Sequence, residues 1–169
     1  MGQKKKTGEK QPKETDKIKK KLERVATLKR RIDNLIERLE YLESTMGSAS
    51  APNLTGLPGG GDGTSKTERE VARKLELEAQ IRDLIADEAK TRKELEDMIG
   101  LMEKPDEQTV LEMRYFDGAS WWTICSTLYG NEPDYEEHEK RYLKRAFKIH
   151  GSALQSLAKI ERTETLANE

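Results

Sequence analysis

The chain holds one cysteine, Cys125, among its 169 residues. It can form no internal disulfide and has no cysteine partner for a zinc site, which suits a reducing compartment. Phenylalanine and tryptophan occur twice each and valine three times. Runs of alternating β-branched residues are missing, which excludes an all-β fold. No apolar run approaches the roughly 18 residues of a membrane span. The N-terminus is basic but lacks the apolar stretch of a secretory signal. Gly2 opens a near-match to a myristoylation motif, yet Lys6 stands where Ser or Thr is required. These absences predict a cytoplasmic protein with no membrane partner.

Catalytic signatures are also lacking. The sequence has no strand-linked phosphate loop, nucleophile–base grouping, paired catalytic carboxylates or metal-ligand spacing. GGGDG at 59–63 sits in a linker with no strand before it. Neither an enzyme nor a cofactor or metal site is expected.

What remains is charge and leucine. Charged residues make up 37% of the chain, yet the formal net charge is −1. The balance is local: residues 1–31 hold thirteen Lys or Arg against four Asp or Glu. Residues 1–16 read as a disordered basic arm. From Ile18 a heptad pattern sets in, with Ile18, Val25, Ile32, Leu39 and Met46 at one position. Leu28, Leu35 and Leu42 fill the position three further on, which makes a narrow apolar seam on one helix. Lys21 interrupts the first heptad, so fraying is expected there.

The stretch 47–65 is rich in Gly, Ser and Pro and reads as a flexible linker. Ser65 followed by Glu68 has the spacing of a capping box. The second helix has its seam at Leu77, Ile81, Leu84, Leu95, Met98 and Met102, broadened by Val71, Ile85 and Ile99. Pro105 ends it. Residues 17–104 are therefore expected to form a helical hairpin or a coiled coil between chains. Both solutions bury the seam, and the second makes the protein a homo-oligomer.

All the Trp and Phe lie beyond Pro105. Residues 105–162 are expected to form a small globular domain that folds by itself, with 163–169 as a disordered tail. Its first helix spans 106–116, Asp117-Gly118 is a turn, and Ser120 caps a helix with Trp121, Ile124, Cys125 and Leu128 turned inward. A long helix follows from about 134 to 160, with Leu143, Ala146, Phe147, His150, Leu154 and Leu157 as its apolar stripe. A short helix, a Gly-containing turn and a following basic helix together suggest helix-turn-helix.

The stretch 110-VLEMRYFDGASWWTICSTLYG-130 resembles the fourth conserved region of housekeeping sigma factors, and 147-FKIHGSALQSL-157 is similar to the end of its recognition helix. Small phage and prophage proteins of Gram-positive bacteria carry a similar domain behind a helical hairpin. The chain departs from the sigma pattern in the acidic segment Glu132 to Glu139, which expands the turn, and in Trp122 at a usually polar position. The resemblance implies an all-α fold: a long helical hairpin or coiled coil followed by a small sigma region 4-like helix-turn-helix domain. It implies a phage or prophage transcriptional regulator that binds promoter double-stranded DNA with host RNA polymerase, in the cytoplasm of a bacterial host. Two other readings stay open at this point: a protein-interaction module docking on the polymerase, and a packaging subunit of small-terminase type.

The residues expected to meet DNA are Arg141, Tyr142, Lys144, Arg145 and Lys148 on the long helix and Trp122 on the one before it. Arg141, Lys144, Arg145 and Lys148 share one face, opposite Ala146, Phe147 and Leu154. Such a helix can pack inward and present cations to phosphates and guanine edges. The acidic segment stands at a helix N-terminus, where negative charge is favourable by ~0.3–1 kcal/mol. His150 and Cys125 read as core residues.

Overall fold

A computed structural model describes residues 13–46 and 65–167. The expected linker, most of the basic arm and the last two residues lie outside them. The described residues form helices and turns with no strand: α1 (Glu14–Met46), α2 (Lys66–Gly100), α3 (Pro105–Leu111), α4 (Trp121–Tyr129) and α5 (Glu139–Ala167), with a π-helical turn at Glu112–Phe116. No described helix is long and apolar enough to cross a membrane. The protein is all-α, with α1 and α2 as a long hairpin ahead of the shorter helices.

Local chemistry accounts for the boundaries. Ser65 and Glu68 cap α2 reciprocally: the Glu68 amide donates to Ser65 Oγ (3.2 Å) and the Ser65 amide to Glu68 Oε2 (2.8 Å). At its other end, the Ile99 carbonyl accepts from the Met102 amide (3.0 Å), and Gln108 Nε2 donates both to that carbonyl (3.0 Å) and to the carbonyl of Met102 (3.1 Å). Pro105 opens α3, where its missing N–H costs nothing. The π-turn closes with the Asp117 amide on the Glu112 carbonyl (3.1 Å), and it buries the consecutive Tyr115 and Phe116. Gly118 takes φ +69°, the left-handed conformation expected of the Asp-Gly turn. Ser120 then caps α4 by accepting from the Thr123 amide (3.1 Å), and Gly130 closes it.

Of the described residues, 27–46 and 65–91 form one compact unit. Its core is Leu35 of α1 against Leu77 and Ile81 of α2, flanked by Leu39, Leu42 and Leu84. Glu43 and Lys74 pair at 2.7 Å beside it. The heptad seam is thus closed within the chain, which decides for the hairpin over pairing between chains at these positions. Val71 and Ile85 are exposed, so they do not broaden this seam.

Residues 13–26 and 92–167 form the other unit. Ile18, Leu22 and Val25 of α1 meet Leu95, Met98 and Ile99 of α2. Leu111, Tyr115 and Phe116, with Ala153, Leu154, Leu157 and Ala158 of α5, complete the core. Four expectations change here. The start of α1 is not frayed: Leu22, adjacent to the interrupting Lys21, is fully buried, while Lys21 pairs with Glu161. The compact unit does not begin near residue 104, because both hairpin helices contribute to its core. The tail expected from 163 is helical through Ala167, and the arm yields to helix at Glu14.

Glu107 is buried in the same unit, accepting from Ser152 (2.6 Å) and pairing with Lys104 (3.0 Å). Burial pushes its carboxyl up, but bonds from Ser152, Ser156 and Lys104 together hold it below the ordinary carboxylate value. Glu107 thereby ties α3 to α5.

Candidate nucleic-acid interface

The segment from Trp121 to Lys148 carries every residue expected to meet DNA, and it sorts them into two groups. Arg141, Lys144, Arg145 and Lys148 are exposed on α5 at spacings of three, four and seven, so their charges emerge on one face. Trp122 is 49% exposed on α4. Among the described residues it makes no ring or cation contact. Tyr142 does not belong with them. It is 2% exposed and turned into the protein, because one residue along a helix is a 100° turn away from its neighbour Arg141.

Tyr142 organises the cationic face from beneath. Its ring lies 5.0 Å from Tyr129 and 5.7 Å from Tyr135. The Arg141 guanidinium sits 5.5 Å from the ring centroid and that of Arg145 5.1 Å, both within cation–π range. The phenol donates to Asp134 in the acidic turn, and Arg141 Nη2 approaches the same carboxylate at 3.8 Å. The Tyr142 bond, with Arg141 behind it, holds the Asp134 carboxyl below the usual range. The same bond pushes the Tyr142 phenol up. One acidic residue of the expanded turn thus serves as an anchor for α5, together with any favourable interaction of the turn with the helix dipole.

The α4–α5 packing rests on Trp121, whose ring meets Phe147 at 4.7 Å and His150 at 5.1 Å, with Arg114 at 5.1 Å. Phe147, part of the expected apolar stripe, is 44% exposed and meets Trp121 with the two rings at 73°. Ile124 and Cys125 are buried on α4 as expected. His150 is partly buried and shares a 2.9 Å hydrogen bond with the Tyr115 hydroxyl. Burial, then the cations Lys19 and Arg114, push its imidazole below its ordinary value. Burial pushes Tyr115 up to about 12. This pair is structural. Lys148 lies at the rim of an open groove between α5 and the start of α3, lined also by Lys104, Asp106 and Glu107.

Asp134, Tyr129 and Tyr135 escaped the sequence reading. Tyr135 and Asp134 stand seven and eight residues before Tyr142, and Tyr129 thirteen, but α5 begins only at Glu139, so the contacts run across a turn that a helical projection does not describe.

A family model described as a protein of unknown function (DUF1492) matches residues 71–145. That span runs from the first turns of α2 to Arg145. No curated protein and no solved structure matches the chain.

Proposed function

We propose that this chain binds double-stranded DNA through α4, the acidic turn and α5, and regulates transcription from phage or prophage promoters alongside host RNA polymerase. The observation that carries the reading is the exposed quartet Arg141, Lys144, Arg145 and Lys148, two of whose guanidiniums are held over the Tyr142 ring. Cations positioned before contact lose less side-chain freedom on binding than free ones. Phosphate contacts position such a helix on the duplex, and an Arg reaching a guanine edge reads sequence. Trp122 supplies an exposed aromatic beside this helix pair. The resemblance of 110–130 and 147–157 to sigma region 4 selects promoter DNA from among nucleic-acid targets.

The test is fluorescence anisotropy of the full chain on labelled duplexes across a salt series. Neutralising about four phosphates corresponds to a slope of roughly −3.6 in log K against log salt, a loss of about 150-fold between 50 and 200 mM. Crosslinking to DNA in the host cell then separates the readings. Recovery of promoters supports regulation, recovery of a packaging site transfers the assignment to a packaging subunit, and no recovered DNA leaves a protein-docking module.

A further inference from the structure

The unit formed by residues 27–46 and 65–91 exposes more large apolar side chains than it buries. Ile32, Leu35, Leu77 and Ile81 are inside, whereas Ile36, Tyr41, Val71, Leu75 and Ile85 are outside. Three of the exposed ones lie on α2: Val71 at 42%, Leu75 at 59% and Ile85 at 46% exposure. They belong to a single stripe. Positions 71, 75, 78, 82, 85 and 89 alternate steps of four and three, the signature of a helix face that meets another helix. The occupants are Val71, Leu75, Glu78, Arg82, Ile85 and Ala89, and the edge away from α1 is lined by Ala72, Ala79 and Ala86. Alanine at every seventh position lets two helix backbones come close.

We infer that a second copy of this chain docks on this face, with the two copies of α2 antiparallel about a two-fold axis near Ala79 and Gln80. The stripe is self-complementary in that one alignment. Reversed about its midpoint, Leu75 faces Ile85 of the second copy, Val71 faces Ala89, and Glu78 faces Arg82, each pairing occurring twice. A two-fold interface requires this reciprocity. A parallel alignment in register would set Glu78 against Glu78 and Arg82 against Arg82. Within the chain, among the described residues, Arg82 has no ion-pair partner, and Glu78 meets Lys74 at 3.7 Å. The stretch is about 27 Å long at 1.5 Å per residue. The docked hairpins would cover Val71, Leu75 and Ile85 as neighbouring helices of a four-helix arrangement do. This face is separate from the heptad seam, which the chain fills itself.

The mass of the full chain by light scattering and sedimentation velocity tests the inference. Twice the 19.3 kDa of one chain is expected. Arg82→Glu sets acid against acid and is expected to raise the dimer dissociation constant on the order of 100-fold. The double variant Glu78→Arg with Arg82→Glu exchanges the charges and restores the dimer. Both positions lie on the outward face, so helicity by circular dichroism should stay unchanged. Should Arg82→Glu lose helicity, the double variant Leu75→Cys with Ile85→Cys decides. These two positions lie about 15 Å apart along one helix, too far to bridge each other, and the native Cys125 is buried. A disulfide-linked dimer under mild oxidation is expected. A monomeric parent, a dimer indifferent to Arg82→Glu, a charge exchange that fails to restore it, or cysteines that remain unlinked would each overturn the proposal. A monomeric parent would also leave the face to a different protein.

Discussion

The Tyr142 hydroxyl donates to the Asp134 carboxylate, joining the buried side of α5 to the acidic turn that precedes it. Arg141 leans on both partners, and the Arg145 guanidinium also lies within reach of the ring. A residue expected to touch DNA instead sets the geometry of those that face solvent. The acidic turn, which looks hostile to a polyanion, holds one of its carboxylates against the protein.

Tyr142→Phe keeps the ring and removes the bond to Asp134. It is expected to cost about 1 kcal/mol in urea unfolding and to weaken DNA binding modestly without altering the salt slope. Tyr142→Ala also removes the cation–π support and is expected to cost ~3–5 kcal/mol, as for other buried aromatics. Equal stability of parent and Tyr142→Ala would show that the tyrosine cluster holds nothing in place.

Arg145→Ala is expected to cost ~1–3 kcal/mol on a specific site if its guanidinium reads a base. Lys148→Ala should weaken all duplexes about equally and shallow the salt slope by about one. Lys148→Ala should hold the melting temperature because the side chain is exposed, whereas Arg145→Ala also gives up its contact with the Tyr142 ring and should cost ~0.5–1 kcal/mol. A double variant that binds promoter fragments as tightly as the parent makes the quartet a solvated face and favours the protein-docking reading.

Leu22→Ala is expected to destabilise the unit built from 13–26 and 92–167 by roughly 2–5 kcal/mol. Leu22 is fully buried in a core that also draws on α2, α3, the π-turn and α5. Excised residues 104–162 should show no cooperative melt by calorimetry, because Ile18, Leu22, Val25, Leu95 and Ile99 would be missing from the core. A sharp transition in that fragment would mean that the hairpin only decorates an independent domain.

Burial holds the His150 imidazole below its ordinary value of 6.5. The folded state therefore binds a proton less readily than the unfolded chain. This contribution is fully present above pH 6.5, and it is lost as the pH falls through the lower folded value. Glu107, also held below its ordinary 4.5, adds a second loss at more acid pH, complete only below its folded value. Urea midpoints from pH 7.5 down to about 3 should fall in that order, and His150→Phe should flatten the upper step. An unchanged upper step would place the titration elsewhere.

The features legible in the sequence were those decided within a few residues along the chain. The Ser65–Glu68 and Ser120 caps, the Gly118 turn, the break between helices ahead of Pro105 and the seam through Leu35, Leu77 and Ile81 follow from hydrogen bonds and periodicity that span one or two turns. The exposure of Arg141, Lys144, Arg145 and Lys148 was legible for the same reason, as a face of one helix. Tertiary structure decided which apolar residues of a charge-rich helix are used. A heptad marks candidate faces, but the element that arrives to cover one comes from far away in sequence. Thus Leu22 rather than the register at Lys21 enters the core, because α5 and α3 pack there, and Val71 and Ile85 remain outside, because α1 covers a different side of α2. Tyr142 is buried because a tyrosine thirteen residues earlier and an aspartate across a non-helical turn meet it, and no local period encodes a contact whose register is set by a turn.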